Sequence, residues 1–387
     1  MLAGRKVSRY CLVITDAVSF NSLYRGQLEY LSSQGFRLTL ICGGSQDEVK
    51  KLENRQVGKV IHIGMARNPS PVSDLLCLIR LWWHFLFNRY DLVVATTPKA
   101  ILLGSLASFF SMQKKRIAFF RGRVYENYTG LKRKIFTFLD YLAVRLTHQS
   151  LFVSPSLKNE YIKDIRLVAR KGFVVGGGSG NGIDTVRFAP TEVAESTVND
   201  LRNTLGIAED EFVVISIGRI CKDKGMLETE EIARALRNHT PKIRFLMLGR
   251  VEDPSFYSLF GNLLEDGTVQ HIDSVEDIRS YVAASHLHLF LTHREGFGNV
   301  AIEAAAMNVP TLAYDVVGVR DSVAEGISGL KVPLKDTAAV IEKLSYFANN
   351  PSELKQKYSG ARAWAEANYS QQQVWENYRG YYLDQIS

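Results

Sequence analysis

The feature that most narrows what this chain can fold into is a recurring alternation of strand-length apolar runs with helical stretches. Val7 to Thr15 is such a run; Leu23 to Gln34 then shows helical spacing and closes at Gly35. Phe36 to Cys42, Val60 to Ile63, Leu92 to Ala95 and Arg116 to Phe120 continue the strands, with predicted helices over Leu75 to Phe87 and Ala100 to Phe110 between them. Strands separated by helices read as βαβ units, hence a parallel sheet covered on both faces. The pattern resumes at Phe212 to Ile217, Phe245 to Gly249, Val269 to Ser274 and Leu287 to Leu291, so an α/β chain with two Rossmann-like lobes is expected.

At 387 residues, with 46% hydrophobic and 22% charged, the chain is long enough for two cores and excludes a disordered or coiled-coil protein. Its glycine-dense stretch Phe173 to Asp184 cannot stay regular, and the interdomain connection is placed there. A hinge with close backbone crossing and a phosphate cradle are both open to those glycines. Cys11, Cys42, Cys77 and Cys221 are scattered without a paired spacing, which points to a reducing compartment and core positions rather than a zinc site. No secretory signal and no span of transmembrane length is read.

Charge is split along the chain. Residues 1 to 171 hold 27 Lys and Arg against 11 Asp and Glu, a balance of +16, and the remainder balances at −9. A basic first half implies an anionic partner there, lipid or nucleic acid. It lacks an interleaved aromatic-basic motif for nucleic acid, so no nucleic-acid partner is expected. On the helix Leu75 to Phe87, Leu75, Leu78, Ile79, Trp82 and Phe85 are expected to be buried, and Leu76, Arg80, Trp83 and Phe87 form a second stripe that faces either a lipid interface or a neighbouring helix. From Leu131 to Leu146, the face of Ile135, Leu139, Leu142 and Leu146 is expected to be core. Lys132, Arg133 and Lys134 open that helix where its dipole disfavours cations, so they serve an external anion or are merely solvated.

One loop stands out. After Leu287 to Leu291 come Glu295, Gly296, Phe297, Gly298 and Asn299, then a helix-forming run from Val300 to Met307. A bare backbone at a helix start offers amides and a positive dipole end to an anion such as a diphosphate. Glu295 before the amides and Glu303 about one turn into the helix suit sugar hydroxyls better than phosphate. Gly218, Arg219 and Lys224 lie on the loop after another strand and can converge on the same diphosphate.

The Glu-x7-Glu spacing around Gly-Phe-Gly-Asn, followed by a small-residue helix, Val309-Pro310, Gly318 and Gly326 to Gly329, resembles the donor signature of retaining GT-B glycosyltransferases of the group 1, family-four type. Thr96 to Gly104, Arg121-Gly122 and Thr129-Gly130 resemble the acceptor lobe of enzymes that build capsule, O-antigen and lipid-linked glycans. The resemblance covers nearly the whole chain. It implies a GT-B fold, two lobes facing across a cleft: an acceptor-binding, membrane-facing lobe over 1–180, a UDP-sugar lobe over 181–365, and a C-terminal helix over 366–387 crossing back to the first.

It further implies transfer of a sugar, by family habit an N-acetylhexosamine, from a UDP-sugar to a polyprenyl-diphosphate-linked saccharide, at the cytoplasmic face of a bacterial membrane. Arg219, Lys224 and Glu295 would be catalytic; Gly218, Ile272, Gly296, Phe297, Gly298, Asn299, Val300 and Glu303 would hold the donor; Asn21, Lys99, Arg121 and Arg123 would meet the acceptor. Arg80, Trp83, Phe87 and Lys132 to Lys134 would meet the membrane. No metal and no cofactor is expected, since two cations already face the diphosphate. The chain departs from many relatives at two places, with Phe20-Asn21-Ser22 for a Gly-Gly loop and Arg121-Gly122 for His-Gly. Arg121 is thereby a permanent cation fit for a phosphate, or else a salt-bridged surface arginine. The alternatives to transfer are a nucleotide-sugar 2-epimerase, which needs no acceptor, and a membrane-bound scaffold that binds nucleotide sugar without turnover.

Overall fold

A computed structural model describes residues 8–66, 68–126 and 128–386. It divides into two compact units, one running through Gly182 and resuming at Gln371, the other Ile183–Ser370. The first break falls inside the expected glycine-rich segment, and the second returns the chain's last helix, Gln371–Ile386, to the first unit.

The first unit is a seven-stranded sheet: β1 (Ser8–Asp16), β2 (Phe36–Gly43), β3 (Lys59–His62), β4 (Leu92–Thr96), β5 (Arg116–Phe120), β6 (Gln149–Phe152) and β7 (Gly172–Val174). Their order is β3-β2-β1-β4-β5-β6-β7, all parallel, so the direction of winding reverses between β1 and β4. The apolar runs are buried on both faces; Tyr10 to Ile14 are fully enclosed, as a covered parallel strand requires. Val7 lies outside the described residues.

Three expectations for this unit change. The helix read over Leu23 to Gln34 is two helices, Ala17–Leu23 and Gln27–Ser33, because Gly26 at φ 77° turns the chain between them. Arg55 holds that break by donating to the Phe20 and Tyr24 carbonyls at 3.0 and 2.9 Å. The helix over Leu75 to Phe87 begins at Pro71, and its inner face is Cys77, Leu81 and Phe85. Of the residues expected inside, only Phe85 is buried, while Leu75, Ile79 and Trp82 are exposed. On the helix Gly130–Leu146 the buried positions are Ala143 and Val144; Ile135 is exposed, and Leu139, Leu142 and Leu146 are half-buried. In both helices the apolar residues outnumber those the sheet can cover.

The second unit is a six-stranded parallel sheet: β8 (Phe212–Ile217), β9 (Ile243–Leu248), β10 (Val269–Ile272), β11 (Leu287–Phe290), β12 (Thr311–Tyr314) and β13 (Gly329–Val332), in the order β10-β9-β8-β11-β12-β13. Its core joins Phe212, Val214, Phe245, Leu289 and Leu312 to Phe256 and Phe260 from the covering helix Phe256–Glu265. Winding reverses between neighbouring strands β8 and β11. A crevice opens at the carboxyl ends of strands where the order reverses, and in such sheets ligands bind there.

Candidate functional site

The loops leaving β8 and β11 are the two that flank this switch point, and both carry the residues singled out above. Gly218 to Gly225 follows β8, with a single 3-10 turn at Lys222–Lys224 before the helix Met226–Ala235. Thr292 to Gly298 follows β11 and leads into the helix Asn299–Ala306. Gly298 is its N-cap, at φ 88°, with no side chain to cap it. A Cβ there would stand 2.9 Å from both the Phe290 ring and the Ser322 hydroxyl, so bare backbone is a steric requirement. The helix start therefore presents its positive end to the crevice.

Three consecutive residues of the second loop are laced to the first loop and to the helix that follows it. His293 Nε2 lies 2.8 Å from the Glu228 carboxylate, Arg294 donates to Asp223 at 2.9 Å, and Lys224 forms an ion pair with Glu295. Burial alone would raise the Glu228 carboxyl; the His293 contact, its own backbone amide and the charge of Lys335 together hold it below its usual range. The lacing fixes both loops before any ligand arrives. His293, Arg294, Asp223 and Glu228 were not among the expected site residues, because their role depends on β8 and β11 being neighbours.

Around the crevice, Gly218, Arg219, Cys221, Lys224, Met226 and Phe290 line a small pocket. Arg219 is 2.6 Å from Glu252, with both side chains about half exposed. An exposed pair of this kind is worth about 0–1 kcal/mol, so Arg219 can exchange Glu252 for another anion at little cost. Glu303, one turn into the helix, is half-buried, and among the described residues no side chain or amide donates a hydrogen bond to its carboxylate. Burial pushes its carboxyl up to about 7, against the opposing charge of Arg187. A carboxylate withdrawn from water and lacking a donor is set up to receive hydroxyls.

Not every expected donor residue offers its side chain. Phe297 is buried, its ring 5.1 Å from that of Tyr369, so it anchors the loop and only its backbone remains for a ligand. Val300 packs on the core, Ile272 ends β10 half-buried beside the Val213 and Ile215 cluster, and Asn299 is exposed at the helix start. Gly296 lies half-exposed between Glu295 and Phe297.

In the first unit the four expected acceptor residues have different fates. Asn21 donates to the Glu48 carboxylate at 2.9 Å and to its carbonyl at 3.1 Å. Lys99 is 2.6 Å from both Asp74 and the Asn68 carbonyl, tying two helices together. Arg123 is buried, paired with Asp164, and packed over the Tyr125 and Tyr161 rings at 4.7 and 5.1 Å. All three side chains are engaged by partners within this unit. Arg121 differs. Its guanidinium lies between the Tyr24 and Phe119 rings, 4.4 and 4.5 Å from their centroids, with Nε and Nη2 buried and without a hydrogen-bond partner. No carboxylate pairs with it among the described residues, so it is not a salt-bridged surface arginine. A side chain at Gly180 would collide with its Nη1, so that glycine exists to admit it.

Of the expected membrane residues, Arg80, Trp83, Phe87, Lys132 and Lys134 are exposed. Arg133 donates to Asp164 at 2.9 Å and Lys132 stands 3.8 Å over the Tyr128 ring.

Two family models account for most of the chain: Glycosyltransferase Family 4 over residues 25–187 and Glycosyl transferases group 1 over residues 197–364. The chain belongs to the group 1 glycosyltransferases. It is 31% identical over 367 residues, 93% of each chain, to the capsular polysaccharide biosynthesis glycosyltransferase CapM of Staphylococcus aureus. It is 23% identical to the Escherichia coli UDP-Gal:alpha-D-GlcNAc-diphosphoundecaprenol alpha-1,3-galactosyltransferase, over 82% of this chain and 81% of that one. The fold is that of Anabaena HepE, solved in complex with UDP, at a TM-score of 0.79 and 18% identity over 97% of this chain and all of that one. This group 1 glycosyltransferase therefore has the GT-B architecture.

Proposed function

We propose that this enzyme transfers a hexose, in the N-acetylhexosamine class, from a UDP-sugar to a polyprenyl-diphosphate-linked saccharide with retention of configuration, at the inner face of the cell membrane. The observation that carries the reading is the switch point of the second sheet, where Arg219, Lys224 and the Asn299–Ala306 helix start face one crevice while Glu303 stands unpartnered one turn along. Cations and amides suit a diphosphate; an acceptor-only carboxylate suits ribose hydroxyls. The complexes of HepE with UDP and with UDP-glucose support the donor class. The diphosphoundecaprenol named for the E. coli relative supports the acceptor class.

In this reading the bond from the sugar's anomeric carbon to the diphosphate oxygen breaks as a bond to the acceptor oxygen forms on the same face. The acceptor's proton passes to the departing diphosphate, so no side-chain base is required. Arg219, Lys224 and the helix amides stabilise charge that grows on the leaving group, and they act without a metal. Glu295 holds the transferred sugar. Arg121, a cation held between two rings with no carboxylate partner among the described residues and with Nε and Nη2 unsatisfied, meets an acceptor phosphate.

Incubation with a panel of UDP-sugars and polyprenyl-diphosphate sugars tests this. UDP release that requires both partners is expected and survives a chelator. UDP-sugar isomerisation without acceptor, or release from no pair, overturns it.

A further inference from the structure

The loop after β11 is anchored by packing at its far end only. Phe297 is buried and Val300 packs on the core, whereas Thr292, His293, Arg294, Glu295 and Gly296 offer no apolar side chain to hold the near end. Its place there is set by the loop after β8. Gly225, at φ 78°, brings bare backbone against the Leu291 carbonyl, and the His293 amide donates to the Asp223 carbonyl at 2.9 Å. These contacts join the loops without fixing the direction of the side chains between them.

One of those side chains meets a buried carboxylate. The His293 and Glu228 side chains are 18% and 10% exposed, and His293 Nε2 lies 2.8 Å from Glu228 Oε1. Against burial, the His293 contact, the Glu228 backbone amide and the charge of Lys335 keep that carboxyl ionised. A carboxylate only accepts, so Nε2 carries the proton. Glu228 Oε2 is buried with no hydrogen-bond partner. A half-satisfied buried carboxylate is a poor source of stability, because an apolar pair of the same shape would cost less. It is a good source of direction. His293 and Glu295 leave one loop toward the same neighbour, where Glu228 and Lys224 receive them from either side of Gly225.

We propose that His293 and Glu228 are positioning residues for the transfer step: their bond holds the near end of the loop so that the Glu295 carboxylate is aimed at the sugar being moved, without either residue touching the donor. The proposal rests on the role given to Glu295 above.

Three full-length variants separate the hydrogen bond from the packing. His293→Phe keeps a ring and removes the donor; His293→Gln keeps a donor the same number of bonds from Cα; His293→Phe with Glu228→Met replaces the whole pair by apolar groups. Hydrogen exchange in the peptide covering 292–298 should quicken by about tenfold or more in His293→Phe and in the double variant. With the UDP-sugar and acceptor pair that turns over, both should lose about tenfold or more in kcat, while donor KM and UDP affinity stay within about twofold of the parent. His293→Gln should recover most of that loss. The double variant should melt no lower than the parent, since it strands no charge, so its slow turnover is not a loss of stability. In a Glu295→Ala background His293→Phe should cost nothing further, because both act through one carboxylate.

Parental exchange and kcat in the double variant overturn the proposal. So does a loss in His293→Gln as large as that in His293→Phe, which would leave the ring a packing element, and so does a loss that multiplies with that of Glu295→Ala. If no pair turns over, or Glu295→Ala keeps full turnover, the transfer reading or the role of Glu295 fails by itself; the exchange rate of the double variant then decides alone whether this pair holds the loop.

Discussion

Lys224 and Glu295 form an ion pair that bridges the loops after β8 and β11, flanked by the Arg294–Asp223 and His293–Glu228 contacts. The pair joins the cation assigned to the leaving diphosphate to the carboxylate assigned to the transferred sugar. Both side chains are mostly shielded, at 22% and 19% exposure, so it is a firmer link than the open Arg219–Glu252 pair. In the proposed roles, a donor that draws on both residues competes with this pair, so the two are coupled rather than independent.

Glu295→Ala should therefore leave UDP affinity unchanged or tighter, since Lys224 loses a competitor, while turnover falls by about 100-fold. Lys224→Ala should lower both. The double variant should lose less than the product of the two, as for residues in contact. UDP calorimetry beside turnover decides it; an equal loss of UDP affinity in both single variants would show that Glu295 serves the nucleotide.

Glu303 gives a pH signature. Its carboxyl is raised from 4.5 to about 7, so the folded free enzyme holds a proton that the unfolded chain releases. That contribution to stability is present at low pH and is lost as pH rises through about 7. Ribose hydroxyls favour the ionised form, so UDP binding should expel a proton and tighten as pH rises over roughly pH 6 to 8. Glu303→Gln should bind UDP more weakly and flatten the part of this dependence that UDP's own ionisation does not explain. Calorimetry in buffers of different ionisation enthalpy measures the released proton directly; the same release from the glutamine variant would remove Glu303 from the ribose.

The strands and their parallel arrangement were legible because each is an apolar run buried on both faces, and a run such as Tyr10 to Ile14 has no other home. The Glu295 to Glu303 loop was legible because its chemistry is local: glycine, helix start and two carboxylates lie within nine residues. What depends on distant partners was not. Arg121 and Arg123 are two residues apart and alike in sequence, yet Asp164 on the helix Pro155–Asp164 pairs with Arg123, while Arg121 lies between the Tyr24 and Phe119 rings with no carboxylate partner among the described residues. Leu75, Ile79 and Trp82 read as core by periodicity; they are exposed because nothing in this unit packs over that side of their helix.

Gly298→Ala tests the helix start. A left-handed backbone costs an alanine about 1–2 kcal/mol, before Phe290 and Ser322 give way to its methyl. A lower melting temperature and weaker UDP binding are expected together, because the displaced segment carries the amides. Thermal denaturation with and without UDP measures both, and an unchanged stabilisation by UDP would place the diphosphate elsewhere.

Arg121 provides the last test, because a structural arginine and a ligand-binding one predict opposite changes in stability. A buried cation paired with carboxylates cannot be neutralised without stranding its partners, at a cost of about 3–5 kcal/mol. Arg121 has no such partner: its Nε and Nη2 are unsatisfied and its neighbours are the Tyr24 and Phe119 rings. Arg121→Met should then leave the melting temperature unchanged or raised, while kcat/KM for a diphosphate-linked acceptor falls by about 100-fold and UDP affinity stays put. Arg121→Lys should recover part of the loss by restoring the charge without the planar fork. Arg123→Met is the internal control: it removes a buried cation from between the Tyr125 and Tyr161 rings and leaves Asp164 with Arg133 alone, and it should lower the melting temperature. If Arg121→Met melts early as well and the lysine variant rescues stability rather than acceptor use, the guanidinium is a strut between rings and the acceptor phosphate is held elsewhere.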